Sequence, residues 1–291
     1  ATTQPVKPTT PGAQRGTVRS IHYTLRYLAQ NIERGPRGAI VLLHDLPGGA
    51  FVWESALPQL AETGRAVYAF DMLGYGQSDH PWPSDTTIWG HADCLLYAFQ
   101  ALGLHEITLV GFGVGGSVAQ TLATRLFQDG VAKLALINTY AYTHAFAPNW
   151  PLPEMEKHQD PELAHTISVE QTQSELRQAL PLGAAKGLSG ARVDTYASEW
   201  NSVTGKFLLM QHVRSMIPLY SNSVASDVTK LRIPMLVIWG ERDEVTPLTL
   251  GQRLARETSD ARLEVVSGAG HMILDDAPDQ VARLLAEFAR K

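Results

Sequence analysis

The chain has 291 residues, enough for one large α/β domain with an insertion or for two small domains. Hydrophobic residues make up 44% and charged residues 18%, and the net charge of −5 is scattered without a polybasic stripe. Nucleic-acid binding therefore has no electrostatic basis. No apolar run approaches the ~20 residues of a membrane span, and the single cysteine, Cys94, excludes an internal disulfide and a cysteine-based metal cluster.

Residues 1–16, rich in Pro and Thr, read as a flexible arm without the apolar segment of a signal peptide. Two strands are expected at 17–22 and 25–30. Next, "AIVLLHDLPGGAF" gives an apolar run ending in a Pro-Gly-Gly turn, the pattern of a strand buried on both faces. A helix over 51–63 follows, then "AVYAFDMLGYGQSD" as a buried strand and a Gly-rich turn. Residues 86–102 have helical spacing, closed by Gly103. A strand at 107–110 leads into a helix over 114–127, and 132–138 is strand-like.

From 140 to 227 the alternation stops, and the segment reads as a mostly helical cap inserted after the sixth strand. It resumes with "IPMLVIWGERD", a helix near 248–257, the strand "RLEVVSG" and a final amphipathic helix over 278–290. Strands alternating with helices predict a doubly wound, mostly parallel sheet, with the core at 17–139 and 228–291.

Several landmarks follow one another in order: "HDLPGG", "DMLGYGQSD", "GFGVGG", "GERDEVTP" and "GAGHMIL". Over residues 20–290 this succession resembles the α/β-hydrolase superfamily, in its esterase, epoxide hydrolase and dehalogenase-like branch, with the order nucleophile, acid, histidine. The resemblance implies that His271 is the catalytic histidine and Asp243 the acid that orients it. It also implies an oxyanion hole from the backbone N–H groups of Leu46 and Val114. Asp275 and Asp276 are expected to cap the helix that follows His271, and Glu241 and Glu244 to be solvated.

Two departures stand out. At the elbow, where Gly-x-Ser-x-Gly is expected, residues 111–115 read Gly-Phe-Gly-Val-Gly, so the nucleophile position is Gly113. The usual His-Gly is His44-Asp45; Asp45 is expected to form a turn hydrogen bond, or else to place a carboxylate at the pocket rim. Leu46 stands where haloalkane dehalogenases tend to carry a polar side chain, which counts against halide chemistry. Ser117 lies one helical turn past the elbow and should point along the helix.

Gly113 leaves three accounts open. A Ser or Asp nucleophile has been replaced, as an engineered trap or a natural loss, in an ordinary hydrolase of a small, largely apolar ester, lactone or epoxide-like substrate. Alternatively, His271 and Asp243 act alone as a general base in a lyase, isomerase or cyclase, with a water or part of a substrate in the vacated space. Last, the chain is a former enzyme that only binds a small molecule. Hydrolysis leads, because the rest of the machinery is present.

The cap's aromatics, Tyr140, Tyr142, Phe146, Trp150, Tyr196, Trp200, Phe207 and Tyr220, suggest an apolar substrate, with Trp150 and Trp200 among its contacts. Trp53 faces either the pocket or the core. No cofactor or metal is expected: the elbow lacks a phosphate-loop lysine, and Asp129 lies before the next strand, where a dinucleotide site needs an acid at its end. The expected partner is a small-molecule substrate, with neither nucleic acid nor membrane, in a cytoplasmic monomer or homodimer.

Overall fold

The computed structural model describes residues 11–142, 150–216 and 218–291. Eight strands form one sheet: β1 (Gln14–Ser20), β2 (Tyr23–Gln30), β3 (Ile40–Leu43), β4 (Val67–Asp71), β5 (Ile107–Phe112), β6 (Val131–Ile137), β7 (Met235–Gly240) and β8 (Ala261–Val266). Their order is β1-β2-β4-β3-β5-β6-β7-β8. β1 and β2 pair antiparallel with their neighbours, and every pairing from β4 onward is parallel. Every residue of β3, β4, β5 and β7 is buried, as the unbroken apolar runs require of strands covered on both faces. The sheet is thus the doubly wound, mostly parallel one expected. β1 starts inside the segment expected to be a loose arm, because Gln14 already pairs with Ala29.

The helices are α1 (Leu57–Ala61), α2 (Ile88–Ala101), α3 (Val114–Thr121), α4 (Met155–Gln159), α5 (Pro161–Ala164) and α6 (Val169–Ala179). They continue with α7 (Gly190–Ser198), α8 (Val203–Ser215), α9 (Pro218–Val228), α10 (Leu248–Glu257), α11 (Ile273–Asp276) and α12 (Pro278–Arg290). Side-chain caps define several starts: Thr87 accepts from Gly90 N–H, Ser168 from Gln171, Ser189 from Arg192 and Ser202 from Gly205. None of the helices among the described residues is long and apolar enough to cross a membrane.

Two expected helices divide. In place of one helix over 51–63, a 3-10 turn (Ala50–Trp53) precedes α1, whose second position is Pro58, a residue that suits a first turn and breaks a helix interior. The helix expected over 114–127 is α-helical to Thr121 and then widens into a π turn (Leu122–Leu126). There the Thr121 and Thr124 hydroxyls donate back to the carbonyls of Ser117 and Gln120, and Phe127 N–H reaches Leu122 O.

Helices α4 to α9 lie between β6 and β7 as one insertion. Trp200, fully buried, fastens it to the core by donating from Nε1 to Pro47 O at 3.1 Å. Phe146 lies outside the described residues, and so does the side chain of Tyr220.

Strand register decides where the site lies. β3 and β5 are parallel neighbours with Leu43 opposite Gly111. Two residues further along each chain, Asp45 emerges beside Gly113 at the carboxyl edge of the sheet, where open α/β sheets place their ligands.

Candidate active site

Gly113 links β5 to α3 with φ 54° and ψ −119°, a backbone conformation that L side chains rarely adopt. This sharp turn leaves Val114 as the first residue of α3, its N–H unpaired by the helix and directed at the sheet edge. Gly115 lets α3 approach closely: its N–H donates to His44 O at 3.0 Å, and a Cβ there would collide with the backbone of Leu43 and His44.

The space expected to be vacant above Gly113 is filled. A Cβ built on Gly113 would overlap the carboxyl group of Asp45. That carboxylate takes both partners a nucleophile at the elbow would need. Oδ1 accepts from Val114 N–H at 2.7 Å, and Oδ2 lies 2.9 Å from His271 Nε2. The turn-forming role expected of Asp45 falls instead to its backbone, whose carbonyl accepts from Gly48 N–H at 2.8 Å. Nor does Asp45 need the freedom of the usual glycine, because it is absent from the non-glycine residues with positive φ among those described.

His271 Nδ1 is 2.9 Å from Asp243 Oδ2, so the imidazole lies between two carboxylates. Burial alone would favour the neutral ring, but the charges and hydrogen bonds of Asp243 and Asp45 outweigh it and push its pKa up to about 10. The resting ring is an imidazolium at neutral pH. Around it lie Phe112, Tyr140 and Trp150, with ring centroids at 5.7, 6.0 and 5.5 Å. Burial holds the Tyr140 hydroxyl well above its usual pKa, with Asp45 and Asp243 adding to the effect, so it keeps its proton.

Asp243 is fixed by a turn not anticipated from the flanking motif. Its Oδ1 accepts from Val245 and Thr246 N–H at 2.8 Å each, and its Oδ2 from the Thr246 hydroxyl at 2.6 Å. The Asp-x-x-Thr spacing in "DEVT" is the signal that marks it. Asn138, at the end of β6, was also missed. Its Nδ2 donates to the carbonyls of Gly270 and His271 while its Oδ1 accepts from Gly240 N–H, tying the loops of acid and histidine together.

Other expectations are corrected. Asp276 does not cap a helix; it accepts from Gly270, Ala185 and Lys186 N–H, binding the histidine loop to the insertion. Asp275 takes the Arg192 guanidinium and the Tyr196 hydroxyl, at 2.5 and 2.6 Å. Ser117, expected to stay out of the site, donates its hydroxyl to Tyr140 O at 2.7 Å. Trp53 is fully buried in the core, and Trp200 is spent on Pro47, so neither lines the cavity at Asp45. Leu46 and Trp150 do, together with Val52, Phe112, Tyr196 and Met272. That cavity has a volume of about 10 Å³, room for at most a single water.

Behind the site, His44 is locked as one tautomer: Nδ1–H donates to Asp45 O at 3.0 Å and Nε2 accepts from Met72 N–H at 3.1 Å. Burial lowers its pKa to about 4, that of His91 to about 3, and that of His212 well below the usual value. Groups depressed in the fold contribute stability above their unfolded pKa of ~6.5, and that contribution is lost as pH falls. Unfolding free energy measured with urea is therefore expected to fall between pH 6.5 and 4, with a slope approaching about 1.4 kcal/mol per pH unit for each histidine. A flat profile over that range would contradict neutral burial.

Residues 38–278 match the family described as alpha/beta hydrolase fold. The chain belongs to that family. This hydrolase-fold protein is 24% identical over 260 residues to the AB hydrolase superfamily protein YisY of Bacillus subtilis, covering 86% of this chain and 91% of that one. It is 25% identical over 272 residues to a haloalkane dehalogenase of Psychrobacter cryohalolentis, covering 88% and 86%. Among solved structures, an alpha/beta hydrolase fold protein from Burkholderia ambifaria superposes with a TM-score of 0.80 at 21% identity, covering 94% of this chain and 100% of that one. The haloalkane dehalogenase DatA from Agrobacterium tumefaciens gives 0.81 at 17% identity, covering 96% and 97%.

Proposed function

We propose that this protein is a hydrolase whose nucleophile has moved from the elbow to the loop after β3, with Asp45 standing in for the side chain that Gly113 lacks. One observation carries the reading: the Asp45 carboxylate occupies the space above Gly113 and is held there by Val114 N–H and His271. The helical insertion acts as the cap, and the small, apolar cavity calls for its displacement when a substrate enters.

A carboxylate nucleophile narrows the substrate within the ester, lactone and epoxide range. Attack on an ester carbonyl would produce an anhydride, whereas attack on a saturated carbon gives an ordinary ester. A small, largely apolar epoxide suits the site best. Asp45 Oδ2 attacks an oxirane carbon, the C–O bond breaks, and the departing oxygen takes the proton of the His271 imidazolium. Loss of the Asp45 charge lowers the affinity of His271 for a proton, so the ring becomes a base. It then takes a proton from water as the hydroxide adds to Asp45 Cγ, and Val114 N–H stabilises the charge on Oδ1. The diol leaves with the carboxyl proton, restoring carboxylate and imidazolium.

The test is a single turnover of a small aryl epoxide in H₂¹⁸O with enzyme in excess. The diol is expected to carry no label, and peptide mass spectrometry should find one ¹⁸O in Asp45. Label in the diol and none in Asp45 would overturn the nucleophilic role. It would favour instead the pair Asp45–His271 as a proton-transfer device, the lyase or isomerase reading.

A further inference from the structure

β8 ends the sheet, and among the described residues no strand pairs with its outer edge. Open edges are usually blunted by a proline, a bulge or a covering segment. β8 contains no proline, and its register with β7 runs unbroken over six residue pairs. The inner hydrogen bonds fix which backbone groups face out. Met235 N–H donates to Asp260 O at 2.8 Å, and Glu241 N–H donates to Val266 O at 3.1 Å. Arg262 and Glu264, in step with these two carbonyls, therefore turn their backbone groups toward β7, while Ala261, Leu263 and Val265 turn theirs outward. Side chains alternate as well. Arg262 and Glu264 share one face, with Arg262 Nε 3.3 Å from Glu264 Oε1. On the other face Leu263 is partly buried against the core, and Val265 is 41% exposed.

From this pattern we infer that β8 is a self-pairing edge: two copies of this chain join their β8 strands antiparallel about a two-fold axis at Leu263, merging two sheets into one. Charge selects the register among those centred on the middle of the strand. An axis at Arg262 sets that guanidinium against its own copy, and an axis at Glu264 does the same to two carboxylates. Like charges directly opposite one another are destabilising. An axis at Leu263 instead sets Arg262 opposite Glu264 of the second copy, twice by symmetry. It also matches the outward backbone groups, pairing Leu263 with itself and Ala261 with Val265, which covers the exposed valine. Arg262 and Glu264 then meet at a non-hydrogen-bonded position, where opposed side chains approach most closely.

Sedimentation equilibrium of the full chain, from micromolar to millimolar concentration, tests the inference, and a reversible dimer is expected. Glu264→Arg leaves only arginines at the two positions and Arg262→Glu only glutamates, so each variant alone should raise the dimer Kd about 10-fold or more. Mixed in equal amounts, the two variants again oppose unlike charges at both positions and should form a heterodimer of nearly the parent's affinity. Melting followed by circular dichroism checks separately that each variant is folded. A monomer throughout the range, a dimer indifferent to both reversals, or no recovery on mixing two variants that melt like the parent would overturn the proposal.

Discussion

Asp45→Asn is expected to abolish turnover, by a factor on the order of 10⁴ or more, while leaving the fold intact. The amide has the shape of the carboxylate, so its oxygen still accepts from Val114 N–H and its nitrogen faces His271 Nε2, where it can donate to the neutral ring. What disappears is the proposed nucleophile and one of the two charges that hold His271 protonated. The second consequence is measurable without substrate. The His271 imidazole, titrated by NMR, should lose its proton at lower pH in the variant than at the value of about 10 in the parent. Because a raised histidine pKa contributes stability that is present below ~6.5 and lost as pH climbs through the folded value, the variant should also lose part of the parent's excess stability at neutral pH relative to alkaline pH, the part due to Asp243 remaining. Full activity in Asp45→Asn would remove Asp45 from the chemistry, whatever its position.

Restoring the serine alone is expected to do harm. In Gly113→Ser the new Cβ overlaps the Asp45 carboxyl group, and the residue must adopt a backbone with φ 54°. Overpacking and backbone strain each cost on the order of 1–3 kcal/mol, so Tm should fall by roughly 5 °C or more, with no gain of esterase activity. Adding Asp45→Gly removes the obstruction. It yields the His-Gly and Gly-x-Ser-x-Gly pattern together, with a serine hydroxyl directed toward His271. The double variant should recover the part of the lost Tm due to overpacking, the backbone strain remaining, and show an acyl-enzyme burst on activated esters that neither single variant shows. A burst from Gly113→Ser alone would mean that Asp45 readily leaves the elbow, contrary to its two short hydrogen bonds.

These two expectations turn on what local sequence patterns carry and what they do not. The sheet was legible because parallel strands covered on both faces need unbroken apolar runs, and "AIVLL", "LVIWG" and their neighbours are such runs. Helix ends were less so, since the back-bonding of Thr121 and Thr124 that widens α3 into a π turn is invisible to apolar spacing. His271 and Asp243 stand out by their flanking glycines and order. Asp45 appeared only as a departure from a pattern, because its role depends on a residue 69 positions away. Only the register of β3 against β5 brings it opposite the elbow. Trp53, Trp200 and Asp276 illustrate the converse: residue types common in active sites that here pack the core or join loops.

The loop that bears Asp45 has a further property. Trp200, from the helical insertion, holds the carbonyl of Pro47, and on the other side Asp71 accepts from Ala50 N–H at 2.7 Å. The proposed nucleophile and the roof's anchor therefore share one short loop, pinned at its far end to β4. Pro47, which the roof holds, is two peptide units from Asp45. In a hydrolase with its nucleophile on the elbow, the reacting atom stays with the rigid strand–helix junction while the lid moves. With Asp45 as the proposed nucleophile, opening of the roof would misalign the chemistry and closing would align it, so exposure to bulk water and readiness to react would become mutually exclusive.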